Sequence, residues 1–212
     1  MRAQLLLADQ VYLTVHDDAR GRARVHGRAI GLVLAGALLG ELMLFGRITT
    51  HGGLVVVVAP APPADALAHV VLDDVLGERQ RLPLRTWIAY LGQTATARVA
   101  VRLNRAGHLL RVNERRLFRV ETRWVPTDMT VAATPGAVLR HQLERETRLD
   151  DPEALFAGLV HAAGLDPVVL WALGSRGLQY RDWRLDCLDA PLRELVAETK
   201  AAIGATVLTH RT

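Results

Sequence analysis

Between Ala29 and Phe45 the chain runs for 17 residues with a single charge, Glu41. No other segment restricts the fold as much. It falls short of the ~20 apolar residues that a membrane span requires. A glutamate inside hydrocarbon would cost about 2.5–3.5 kcal/mol as well. A helix that is apolar all round and does not span a membrane must lie at the centre of a domain. The segment therefore predicts a soluble domain wrapped around a hydrophobic central helix. Gly31, Gly36 and Gly40 lack side chains and would let neighbouring helices approach closely, and Gly46 can take the left-handed conformation that ends a helix.

The surrounding pattern is mostly helical. Leu5, Ala8, Val11, Tyr12 and Val15 follow the 3.6 period over residues 4–16. Further helices are predicted at 65–76, 84–91, 94–106, 135–148, 152–163, 167–173 and 190–204. The last third restarts at Thr134-Pro135, Asp151-Pro152 and Asp166-Pro167, each read as a capping side chain before a proline at the first helical position. Two hairpins are predicted, one from Ile48-Thr49-Thr50 and Leu54 to Val58, the other from 109–112 and 117–125 with Asn113 to Arg116 near its turn. The fold class is mainly α, with two short β-hairpins, one protruding. The 212 residues suit one domain, 1–212. The stretch after Met1-Arg2-Ala3 is too short, and lacks the small-residue site, for a cleavable signal.

Residues that could carry catalysis are scattered. Ser175 lies in Gly174-Ser175-Arg176-Gly177, not in a nucleophile elbow, and reads as a loop serine. No Walker loop or dinucleotide fingerprint follows a strand. The histidines form no metal-spaced pair, and His16-Asp17-Asp18 reads as a solvated turn. Cys187, the one cysteine, excludes an internal disulfide, suits a reducing compartment and has no electropositive motif around it. The expectation is a cytoplasmic protein that is not an enzyme and uses neither cofactor nor metal.

Charge says more. The formal net charge is +4, but residues 20–28 carry Arg20, Arg22, Arg24 and Arg28 without an acid. Residues 98–123 carry eight arginines against Glu114 and Glu121. The rest of the chain is acidic, so charge is segregated along the sequence, as an anion-binding face requires. Arg98, Arg102 and Arg105 line one face of the 94–106 helix, with Ala95, Val99, Leu103 and Ala106 on the other. In the hairpin, Arg115, Arg116 and Arg119 flank Leu117 and Phe118. A membrane reading puts those two apolar residues among lipid head groups, with arginines on the phosphates. The net +3 of residues 111–123 would contribute about 3 kcal/mol, and Leu117 and Phe118 roughly 1.5–3 kcal/mol each. That is enough for reversible attachment. Two alternatives stay open: a winged-helix-like module on nucleic acid, and a protein-partner scaffold, with an oligomer possible. So does a plain solvated face.

Leu5-Leu6-Leu7-Ala8-Asp9-Gln10-Val11-Tyr12-Leu13 and Gly36 to Ile48, with Glu41-Leu42-x-Leu44-x-Gly46-Arg47 as its strongest piece, resemble the Golgi phosphoprotein 3 family. The likeness continues through Leu72-Asp73-Asp74-Val75-Leu76, Trp87-Ile88 and Leu103 to Leu109, most firmly over residues 4–130, and the arginine usage is that of a bacterial, actinobacterial-like member. The resemblance implies a helical domain with a bilayer-dipping hairpin, peripheral membrane attachment and phosphatidylinositol 4-phosphate-like head-group binding. At the positions aligned with the family's head-group pocket stand His26, Ala35, Gln93 and Thr96, none of them the family's residue. The head-group residues expected here are Arg24, His26, Arg28, Arg98, Arg102 and Arg105. The expected membrane-inserting hairpin is Arg115, Arg116, Leu117, Phe118 and Arg119, and the expected partner an anionic membrane lipid.

Overall fold

A computed structural model describes residues 5–116 and 119–208. At its centre lies α2 (Gly27–Leu44), about 27 Å long at 1.5 Å per residue, with every residue from Ala29 to Leu42 buried. Around it pack α1 (Leu7–Val15), α3 (Ala66–Gly77), α4 (Leu84–Gly92), α5 (Ala95–Arg105), α7 (Asp151–Ala162) and α10 (Ala190–Leu208). α6 (Met129–Glu144), α8 (Asp166–Val169) and α9 (Ser175–Asp186) form an outer layer against α1 and α7. The central segment is a core helix, as its composition predicts. It is also the one helix among the described residues long and apolar enough to cross a membrane, and burial against protein replaces burial in lipid.

The α2 glycines do what their lack of a side chain allows. The position a Cβ would take on Gly31 lies 2.2 Å from the Gly92 carbonyl oxygen, so α2 and α4 touch backbone to backbone. Gly36 and Gly40 admit Thr199 and Leu195 of α10 and Leu155 of α7.

The first hairpin pairs β1 (Ile48–His51) with β2 (Leu54–Val57). Gly52 and Gly53, both at positive φ, make its two-residue turn, the pairing that matches strand twist. The second pairs β3 (Leu109–Arg116) with β4 (Arg119–Pro126), from Leu109 opposite Pro126 to Arg116 opposite Arg119. Residues 113–116 are therefore strand, not turn. Leu117 and Phe118, between the two strands, lie outside the described residues.

Four other expectations are corrected. α6 begins at Met129, six residues before Pro135, because the Asp128 carboxylate accepts the Thr130 and Val131 N–H groups. Pro135 sits inside the helix, and the Thr134 hydroxyl donates back to Thr130 O. Asp150, not Asp151, caps α7, in a capping box with Glu153. Asp166 is the first residue of α8 rather than its cap, since its carboxylate faces His161 and Arg181. Ser175 opens a helix rather than sitting in a loop. That helix is mostly polar, so no apolar period announced it.

Candidate functional site

The two basic stretches come together through one glycine. Asp17 closes the 17–24 loop by accepting the N–H groups of Ala19, Arg20 and Arg22. Those bonds outweigh its partial burial and hold the Asp17 carboxyl below the ordinary range. The loop doubles back on α1 with Arg24 N–H donating to Val15 O. At its apex Gly21 takes φ +63°, and a Cβ there would lie 2.0 Å from Trp124 O. The loop is thus seated on β4, with Arg20 and Arg22 exposed on either side of the contact.

His16, at the foot of this loop, is buried against Tyr12, its ring 4.3 Å from the tyrosine ring and Nδ1 2.8 Å from Tyr12 O. Burial pushes its pKa down; Tyr12 O and Asp17 oppose this, and Arg24 adds to it. A histidine lowered in the folded state contributes stability above its unfolded pKa of about 6.5, lost as pH falls below that value. Urea melts between pH 7.5 and 5 should therefore show a decline that His16→Gln flattens. Equal slopes would exclude the assignment.

The ribbon presents two unlike faces. Leu109, Arg111 and Asn113 share one with Thr122, Trp124 and Pro126. Leu109 is buried and Trp124 packs against the core. The other carries Leu110, 57% exposed, and Val112, 37% exposed, beside Arg123 and Val125. At its base β3 leans on α5. Leu117 and Phe118 lie outside the described residues, as do the side chains of Arg115, Arg116 and Arg119.

The α5 stripe behaves differently from the loop. Arg102 is only 12% exposed and reaches three carboxylates. Nη1 and Nη2 donate to Glu41 Oε2 and Oε1 at 2.9 Å each, Nε to Asp9 Oδ1 at 2.9 Å, and Nη1 also to Asp65 Oδ1 at 3.0 Å. Glu41 further accepts from Ala8 N–H, and Asp65 caps α3 through Ala68 N–H. One guanidinium therefore pins α1, α2, α3 and α5 together. Burial raises the pKa of Glu41 and Asp9, against the pull of Arg102. Burial would lower that of Arg102, but the bonds and charge of Glu41, Asp9 and Asp65 raise it. Arg98 pairs with Asp74 at 2.9 Å, whereas Arg105 stands exposed without an ion pair among the described residues.

These arginines border a groove of about 710 Å³ between α3 and α5, walled by Leu67, Val70, Ala97 and Val101. Val70 and Val101 are 46% and 39% exposed. Arg24 lies elsewhere, its Nε on His16 O and Nη2 near Asp18. His26 caps α2, its Nδ1 accepting from Arg28 N–H, and Arg28 is exposed. Of the pocket-aligned positions, Gln93 and His26 are exposed and Thr96 half-buried, but Ala35 is fully buried inside α2. The carboxylates facing Arg102 lie 93, 61 and 37 residues away in sequence, so no local pattern marks them. Leu110 and Val112 were legible only as alternation.

The family model described as Golgi phosphoprotein 3 matches residues 7–205, nearly the whole chain. The chain belongs to that family. No curated protein matches it.

Proposed function

We propose that this member of the Golgi phosphoprotein 3 family is a non-enzymatic, cytoplasmic, peripheral membrane protein. It binds anionic lipid head groups with the arginine loop and inserts the β3–β4 ribbon among them. One observation carries the reading: a two-stranded ribbon with Leu110 and Val112 exposed on its outer face is joined, through Gly21 and Trp124, to the loop bearing Arg20 and Arg22. Apolar residues flanked by arginines match the chemistry of a bilayer interface. Burying what Leu110 and Val112 still expose would contribute roughly 0.5–1.5 kcal/mol each, and each nearby arginine about 1 kcal/mol.

The head-group donors assigned here are Arg24, Arg28 and Arg105, with His26 at the start of α2, while Arg98, held by Asp74, stands at the groove's rim. Arg102 braces the groove from beneath rather than reaching a lipid by itself. Because Ala35 is buried and offers no donor, the ligand class is anionic head groups in general, not phosphatidylinositol 4-phosphate alone. A nucleic-acid role has less support, since Arg98 and Arg102 of the α5 stripe already face carboxylates.

Vesicle co-sedimentation is the test. Anionic vesicles should pull the protein down at low salt and release it at high salt, while neutral vesicles should not. Leu110→Asp with Val112→Asp, and separately Leu117→Asp with Phe118→Asp, should weaken binding at least tenfold with the melting temperature unchanged. Equal, negligible sedimentation with both vesicle types overturns the reading. Retarded duplex DNA at 50 mM salt, without vesicle binding, would favour the winged-helix alternative.

A further inference from the structure

Lys200 is the one lysine of a chain with 26 basic residues, and its position is specific. On α10, its Nζ lies 3.0 Å from Nε2 of His161 on α7. The other ring nitrogen, Nδ1, lies 2.7 Å from Asp166 Oδ2 at the start of α8. Arg181 of α9, itself nearly buried, donates Nη1 to the same oxygen at 2.8 Å. Four helices thus converge on a Lys–His–Asp line, anchored from behind by an arginine and open to solvent at the amine.

The bonds fix the proton positions. A carboxylate only accepts, so His161 must donate from Nδ1, which leaves the lone pair on Nε2 pointing at Lys200. This is the order nucleophile, base, orienting carboxylate. We propose that Lys200 is a reactive amine that takes acyl groups from activated donors of the acyl phosphate class. His161 acts as proton acceptor and Asp166 as the positioning residue. His161 Nε2 first takes a proton from the Lys200 ammonium and passes it to water; the neutral amine then attacks the carbonyl carbon and the N–C bond forms. The proton on the resulting ammonium passes to His161 Nε2, and the C–O bond to phosphate breaks. The products are an Nε-acyl-lysine and inorganic phosphate, and His161 returns its proton to water. Acylation removes the charge of Lys200 and its donation to His161. This inference is independent of the lipid reading.

The single lysine makes the experiment clean. Arg79→Lys adds a control amine on an exposed loop of the same molecule. Acetyl phosphate is the probe, and mass spectrometry reads acetylation at 200 relative to 79. The ratio should be roughly tenfold or more, below the ~10²–10⁴ that a positioned base supplies in enzymes. His161→Gln still accepts a hydrogen bond but takes no proton, so it should bring the ratio near one with the circular dichroism unchanged. Asp166→Asn, which frees the other tautomer, should give an intermediate ratio and a displaced pH profile. A ratio near one in the Arg79→Lys protein overturns the proposal whether or not the other variants fold. So does a ratio that survives His161→Gln.

Discussion

Arg102→Met should destabilise the protein by about 3–5 kcal/mol at pH 7.5, the range found when one partner of a buried ion pair is removed. Methionine keeps much of the volume but leaves Glu41, 1% exposed, and Asp9, 6% exposed, facing each other without a cation. The pH dependence identifies the cause. Burial already raises both carboxyl groups in the parent, and losing Arg102 raises them further. A carboxyl raised in the folded state makes the native protein bind more protons than the unfolded chain, so stability falls as pH rises through that window. The deficit should therefore be largest near neutrality and shrink toward pH 5. Urea melts of both proteins at the two pH values measure it. Adding Glu41→Gln, which keeps an acceptor for Ala8 N–H, should recover part of the loss at pH 7.5. A deficit below 1 kcal/mol, or one that grows on acidification, would show that the cluster is not held by its charges.

Among the helix glycines, Gly31→Ala should be the most damaging single-methyl change. Its Cβ would lie 2.2 Å from Gly92 O and 3.2 Å from Gly92 C. Backbone cannot rotate aside as a leucine tip can, so α2 and α4 must move apart and loosen the packing of Ile88 and Leu91. Overpacking of this kind costs about 1–3 kcal/mol, and the contact with backbone puts Gly31 at the upper end. Each kcal/mol is worth roughly 2–4 °C in a chain this long. Gly204→Ala is the internal control. It lies within α10 with nothing inside 4 Å of its Cβ position, so the change should raise stability by about 0.5–1 kcal/mol. If both substitutions move the melting temperature the same way, close helix contact is not what Gly31 provides.

The vesicle result bears on a different layer of the molecule from these two. A protein that loses vesicle binding through Leu110→Asp and Val112→Asp but keeps its melting temperature has a ribbon outside the core. One that loses its fold through Arg102→Met has an arginine inside it. On a charge plot Arg102 looks like the exposed Arg105, and on a hydropathy plot Leu110 looks like the buried Leu109. Only their neighbours separate them.

Most helix positions, though not that of α9, and the identity of the core helix were written in short-range pattern. The apolar run around Gly31, Gly36 and Gly40, the glycines Gly46 and Gly107 at helix ends, and Gly52-Gly53 in a tight turn act through their own backbone or nearest neighbours, so the amino-acid order alone determined them. The start of α6 was not legible in this way: Thr134-Pro135 reads as a helix start, yet Asp128 caps the helix six residues earlier. A helix takes the earlier cap if its carboxylate can reach the N–H groups, and that depends on how the chain leaves the ribbon. The role of the α5 arginines was decided wholly by tertiary structure. Arg98, Arg102 and Arg105 share one helical face, yet Asp74 and three distant carboxylates engage the first two and leave the third in solvent. Coulomb energy follows distance in space, and folding brings Asp9, Glu41 and Asp65 within 3 Å of one guanidinium across 37 to 93 residues of chain.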